Sequence, residues 1–190
     1  MINETVGIIG GTGWLGGAIA KAVLAKGLVP SGNLIISNRS GNHPLVQQGA
    51  SLVTDNQDLV DRSDVVIIAV RPEQFASLNI NATGKTVISL MAGITAQAIA
   101  TQTMSSAVVR AMPNAAVEIE QSFTPWYCSG GVEATTRTLV QRLFECVGTA
   151  AEVQEEDFID YLSALSGTGP AIPALLMTPR STSLMGGMRT

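Results

Sequence analysis

The stretch VGIIGGTGWLGGAIA, residues 6–20, sets six glycines between an apolar run and a helix-forming one. Such a run can do little but pass from a strand through a tight turn into a helix. Gly11-Thr12-Gly13-Trp14-Leu15-Gly16 satisfies the spacing G-x-G-x-x-G in that setting. The spacing assigns the tight turn to Gly11 and close approach of a pyrophosphate to Gly13. It assigns close packing of helix on strand to Gly16. The free N–H groups and dipole of the helix start would then face an anion. The bland alternative is a glycine-rich structural turn, and the strand-loop-helix setting favours dinucleotide binding over it.

Further short apolar runs follow. Strands are predicted at 34–37, 51–53, 65–70, 86–90 and 107–112, with helices at 14–26, 44–48, 73–78 and 95–101 between them. Continuous runs such as VVIIAV suit parallel strands covered on both faces. The alternation predicts an α/β fold with a Rossmann-type, doubly wound, mostly parallel sheet whose ligand lies along one edge. SFTPWYCSG predicts one more strand and 133–146 a helix. EEDFIDYLSALSG predicts another, with Phe158, Ile159, Leu162 and Leu165 at helical spacing and three acidic residues in its first turn. A composition shift near 153 divides the chain into a nucleotide domain, 1–152, and a helical segment, 153–190.

The second strand ends in IISNRSGN, where NAD-binding folds carry a carboxylate for the ribose 2′-hydroxyl. Here there is none. Ser37, Asn38 and Ser40 offer neutral hydrogen bonds, and Arg39 offers a fork matched to a 2′-phosphate. NADP(H) is the expected cofactor, against the alternative that Arg39 points into solvent. Arg71, in AVRPEQ, suits either a phosphate or a strand-end cap. Asn114, in RAMPNA, puts an amide at a strand end, within expected reach of a nicotinamide or substrate. Met91 and Met112, taken singly, read as core.

Bulk properties narrow the partners. The 190 residues carry a net charge of −4 and no basic run, which argues against nucleic-acid or anionic-membrane binding. No apolar stretch approaches the roughly 18 residues of a membrane span, and the N-terminus lacks signal-peptide features, so a cytoplasmic home is expected. Cys128 and Cys146 have no metal or disulfide spacing and are expected as buried thiols. His43, before Pro44, is expected in solvent.

Taken together and in order, NRS, AVRPEQ, SLMAGI, VVRAMPN and ALSGTGPA resemble the 1-pyrroline-5-carboxylate reductase family up to about residue 171. The resemblance implies NADPH-dependent hydride transfer to a cyclic imine bearing a carboxylate, in proline biosynthesis, by subunits that form homo-oligomers. It implies cofactor contacts at Gly10, Gly11, Thr12, Gly13, Trp14, Leu15, Asn38, Arg39, Ser40, Asn56, Ala69, Val70, Arg71 and Pro72. The nicotinamide end is implied at Met91, Ala92 and Gly93. The substrate is implied at Asn114 and at a turn, Ser166, Gly167, Thr168 and Gly169, that opens a helix at Pro170. No metal and no general acid is implied.

The glycine loop also resembles deazaflavin-dependent NADP oxidoreductases and extended short-chain dehydrogenases. The latter need Tyr-x-x-x-Lys, and neither Tyr127 nor Tyr161 is followed by it. Pro173 and Pro179 interrupt the place where the family continues into long dimer helices. The expected ending is therefore a missing or altered helical domain, with an NADP-binding module lacking its own catalysis as the alternative.

Overall fold

A computed structural model of the chain describes residues 3–39 and 41–168. Ser40, Gly169 and the prolines at 170, 173 and 179 lie outside the described residues. The first strand, β1 (Val6–Ile9), runs through the glycine turn into α1 (Trp14–Ala25). Then come β2 (Leu34–Ser37), a 3-10 turn (Pro44–Gln48), β3 (Ser51–Val53), α2 (Asn56–Asp61) and β4 (Val65–Ile68). The next elements are α3 (Pro72–Phe75), β5 (Thr86–Ser89), α4 (Ala96–Thr103) and β6 (Ala107–Ala111). A second 3-10 turn (Ala115–Ile119), β7 (Ser122–Cys128), α5 (Ala134–Glu145), β8 (Gly148–Glu152) and α6 (Asp157–Thr168) follow.

One eight-stranded sheet holds them in the order β3-β2-β1-β4-β5-β6-β7-β8. Every neighbouring pair is parallel except β6 with β7. This is the Rossmann-type α/β fold, with its strand order reversing between β1 and β4. The antiparallel pair follows from chain length. The connection from Ala111 to Ser122 is too short for the crossover of a dozen or more residues that a parallel neighbour needs. From β7 the chain crosses over through α5, and β8 returns parallel.

Each face of the sheet has its own core. Ile8, Ile36, Val65, Ile67 and Val109 pack under α1 and α5 with Ile19, Val23, Leu143 and Phe144. Ile9, Ile35, Val66, Ile68 and Val108 pack under α2, α3 and α4 with Leu59, Phe75 and Ile99. Residues 65–68 are apolar throughout because alternate side chains enter opposite cores, both of them buried.

Three local outcomes differ from the sequence pattern. Helix α2, not predicted, starts at a true cap: Asp55 Oδ1 accepts from Asp58 N at 2.9 Å. Strand β8, also not predicted, is GTAAE, which has little strand propensity and is held by pairing along β7. At its start a Cβ on residue 148 would stand 2.0 Å from the Ser122 carbonyl oxygen, so Gly148 permits the pairing. Third, Ser166, Gly167 and Thr168 belong to α6 and do not form the predicted turn. One glycine costs a helix only about 1 kcal/mol relative to alanine, too little to end it.

Of the side chains of α6, Ile159 is buried while Phe158, Tyr161 and Leu165 are exposed. Among the described residues, no helix is long and apolar enough to cross a membrane.

Candidate functional site

A groove of about 890 Å³ runs along the carboxyl ends of β1, β2, β4 and β5, at the point where the strand order reverses. Its floor is the glycine turn. Gly11 N donates to Ile8 O at 3.1 Å and Gly13 N to Gly10 O at 2.9 Å, so the chain folds back within four residues. The turn residue with positive φ is Gly10, at 78°, and not Gly11 as the motif spacing implies. Gly11 is needed for space: a Cβ there would lie 2.7 Å from Ile36 Cγ2. Gly16 has the expected packing role, since its Cβ would lie 2.5 Å from the Gly10 carbonyl oxygen. Gly13 caps α1 with no side-chain hydrogen bond, leaving the first-turn N–H groups to a ligand or solvent.

At the β2 end, Ser37 is buried and its Oγ donates to Asn56 Oδ1 at 2.8 Å. Asn38 shapes the following loop: its Oδ1 accepts from Gly41 N at 2.8 Å and its Nδ2 donates to Asn42 O at 3.1 Å. Arg39 is exposed along the groove wall. Across from this end, Arg71 caps α3, its backbone N donating to Gln74 Oε1 at 3.3 Å. Arg39 and Arg71 are the charged residues lining the groove, and neither has an ion pair among the described residues. The groove is thus positive in an acidic chain.

The groove brings together Gly10, Thr12, Gly13, Trp14, Leu15, Asn38, Arg39, Asn56, Ala69, Val70, Arg71, Pro72, Met91 and Ala92. Gly11 and Gly93 are not among the lining residues. Gln74, Leu90 and Met112, which the motifs contain but to which no cofactor role was assigned, line it as well, together with Thr54 and Ser77, which lie outside the motifs. Met112 could have been found from its place at the end of β6. Trp14 forms part of the wall, and its Nε1 donates to Glu118 Oε1 at 2.6 Å, tying α1 to the 115–119 turn.

The substrate-side residues are placed differently. Asn114 stands outside the groove lining, and its Oδ1 caps the 3-10 turn by accepting from Ala116 N at 3.1 Å. Its amide oxygen therefore serves the backbone. Ser166 and Gly167, on α6, are also not among the lining residues. Ser166 Oγ is buried without a hydrogen-bond partner. His43 is half-buried, and its Nδ1 accepts from Leu45 N at 3.4 Å, so it caps the first 3-10 turn. Among the described residues no cluster of metal-ligating side chains occurs.

Comparison with known proteins gives the relatives. Residues 5–93 match the family model "NADP oxidoreductase coenzyme F420-dependent", which spans the glycine turn, the β2 end and the Met91–Gly93 corner. The chain is 32% identical over 180 residues to pyrroline-5-carboxylate reductase 2 of Pongo abelii, covering 88% of this chain and 56% of that protein. It is 32% identical over 184 residues to pyrroline-5-carboxylate reductase of Methanosarcina acetivorans, covering 90% of this chain and 66% of that one. The chain belongs to the pyrroline-5-carboxylate reductase family.

The solved pyrroline-5-carboxylate reductase of Coxiella burnetii agrees, with a TM-score of 0.84 at 28% identity over 93% of this chain and 68% of that one. The deazaflavin-type model ends at residue 93, within the nucleotide half that both families share, whereas the reductase matches continue past it. The chain spans little more than half the length of the mammalian reductase.

Cys128 and Cys146 are buried and free. Burial pushes both thiols up, against smaller lowering by Arg137 for Cys128 and by Lys26 and Arg142 for Cys146. The thiolate is the reactive form, so maleimide labelling of the folded chain at neutral pH should run at least about tenfold slower than that of a free thiol. Denaturant should abolish the difference. Rapid stoichiometric labelling of the native chain would contradict it.

Proposed function

We propose that the groove binds NADP(H) and that the chain serves the NADPH-dependent reduction of 1-pyrroline-5-carboxylate to proline. The observation that carries the cofactor half is the pair of unpaired guanidiniums, Arg39 and Arg71, in a groove with no lining carboxylate. An NAD site would show an acidic group at the β2 end. The turn at Gly10 and the contact of Gly16 with it support the same reading, because any Cβ at either position would fill the cradle. Family membership and the NADP oxidoreductase model carry the rest.

In this reading the N–H groups at the start of α1 hold the pyrophosphate, Arg39 with its neighbours Asn38 and Ser40 holds the 2′-phosphate, and Met91–Gly93 border the nicotinamide. NADPH, when bound, supplies a hydride to the imine carbon, and the ring nitrogen keeps or takes one proton. The chain's own work is to position and to exclude water; no acid–base side chain lines the groove, and a protonated imine needs none. Residues 1–152 form the cofactor unit. Residues 153–190 begin the substrate and subunit-contact segment, with Asn114 and Ser166–Gly169 on the substrate side. The working form is a cytoplasmic homo-oligomer.

One observation favours a second reading, a cofactor-binding module without its own turnover: neither Asn114 nor Ser166 nor Gly167 lines the groove. The deciding experiment combines NADPH titration with 1-pyrroline-5-carboxylate-dependent loss of nicotinamide absorbance. Tight NADPH binding with turnover supports reduction. Binding without turnover, in this chain and in one extended by a helical domain, selects the module. Absence of NADPH binding overturns both.

A further inference from the structure

Arg110 is the one charged residue buried among the described residues, and it lines no part of the groove. It stands in β6 between Ser89 of β5 and Tyr127 of β7, with its side chain 3% exposed. Nη1 reaches Glu156 Oε1 at 2.9 Å and Nη2 reaches Asp160 Oδ1 at 3.1 Å. Nε is buried and has no partner. The guanidinium is thus turned to serve two carboxylates at the expense of its third donor group. Lysine, a point charge, lacks the planar fork that presents separate nitrogens to the two carboxylates.

Glu156 has a second duty. The same Oε1 accepts from Ala96 N, the first residue of α4, at 2.7 Å. Ala96 follows the Met91–Thr95 loop, whose first two residues line the groove and whose start is pinned by Met91 N donating to Ser89 Oγ at 3.2 Å. One carboxylate therefore joins three parts: the sheet through Arg110, the far rim of the groove through Ala96, and the segment that opens α6. Among the described residues of α6, Ile159 is the buried side chain, and Asp160 adds an ion pair to Arg110 from a more exposed position.

We infer that Arg110 is a positioning residue which, through Glu156, locks α6 to the 91–96 loop so that the two keep one relative placement at the nicotinamide end. The kinetic consequence rests on the function proposed above; the mechanical one does not. A neutral or shortened partner at 156 frees α6 and the loop together while the glycine turn and Arg39 keep their places.

Arg110→Met leaves two carboxylates unpaired and alters the packing around β6 as well, so the informative variant is Glu156→Gln. It loses the ion pair that fixes Oε1 to the sheet, so the neutral amide oxygen left beside Ala96 N is no longer held in place. Amide hydrogen exchange on the full chain should quicken by roughly tenfold in both 91–98 and 157–167, the loss of one charge-assisted hydrogen bond, with the β1–α1 turn unchanged. The Kd for NADPH should stay within about twofold while KM for 1-pyrroline-5-carboxylate rises about tenfold. Asp160→Asn, which leaves the Glu156 link intact, should move each by less than about threefold.

Exchange that rises in α6 alone, or equally across the whole sheet, overturns the inference, as does a parallel rise in the Kd for NADPH. If the parent chain binds NADPH but does not turn over, the exchange pattern alone decides it. In that case the reading as a reductase fails separately.

Discussion

Gly16→Ala is expected to weaken NADPH binding by roughly 5- to 150-fold, the affinity equivalent of the 1–3 kcal/mol typical of an overpacked site. The added methyl carbon would stand 2.5 Å from the Gly10 carbonyl oxygen and 3.0 Å from Ala69 Cβ. Neither neighbour can yield cheaply. Gly10 is held in the positive-φ turn, where its carbonyl accepts from Gly13 N, and Ala69 N donates to Ile9 O at 2.9 Å across the strand-order reversal. The start of α1 must therefore move off β1 and β4, carrying its first-turn N–H groups away from the anion site.

Gly17 is the control within the same helix. A Cβ there meets Gly11 O at 3.5 Å, an ordinary contact. Gly17→Ala should leave the Kd for NADPH within about twofold and raise stability by about 1 kcal/mol, since alanine is the better helix former. Isothermal titration and chemical denaturation of the two variants side by side measure both effects. Equal behaviour of the two would show that contact with the glycine turn does not govern the site.

The difference between Gly10 and Gly11 marks what a sequence pattern can carry. G-x-G-x-x-G states that three small residues are required, and the fold honours all three. The positive φ falls on Gly10, just outside the motif, a backbone property invisible in the letters. The doubly covered strands were legible because VVII and LIIS leave no polar face. Strand β8 was not, because GTAAE owes its conformation to β7 and not to its own residues. Helix α2 carried a usable signal in Asp55-x-x-Asp58 before Leu59 and Val60.

At the site, residues near the turn and strand ends were legible because the fold fixes where strand ends meet. Arg110 was not. A lone arginine in a strand reads as an edge residue, and its partners lie 46 and 50 positions away on an element whose acidic first turn has a sufficient local explanation. The local conformation of Ser166 and Gly167 was hidden for the opposite reason. A short motif suggested a turn, while the helix that begins at Asp157 runs on through Thr168.

Arg39→Ala is expected to raise the Kd for NADPH by roughly 10- to 100-fold, as for loss of 1.5–3 kcal/mol of hydrogen bonding to a charged group. The Kd for NADH, which lacks the 2′-phosphate, should move by less than about twofold. Because Arg39 is exposed, salt screens the contact, so the effect should shrink as ionic strength rises. Arg39→Lys should keep part of the affinity, since lysine supplies charge without the planar fork.

Asn38 offers the complementary change. Its Oδ1 already accepts from Gly41 N, a bond that Asn38→Asp would strengthen, while its Nδ2 bond to Asn42 O would be lost. A carboxylate there would repel a 2′-phosphate and accept from a 2′-hydroxyl, so Asn38→Asp combined with Arg39→Ala should reverse the preference to NADH. Paired titrations of NADPH and NADH against the parent, the single variants and the double variant read the effect directly. Unchanged NADPH affinity in Arg39→Ala would sink the assignment and shift the phosphate to Arg71, the other guanidinium lining the groove.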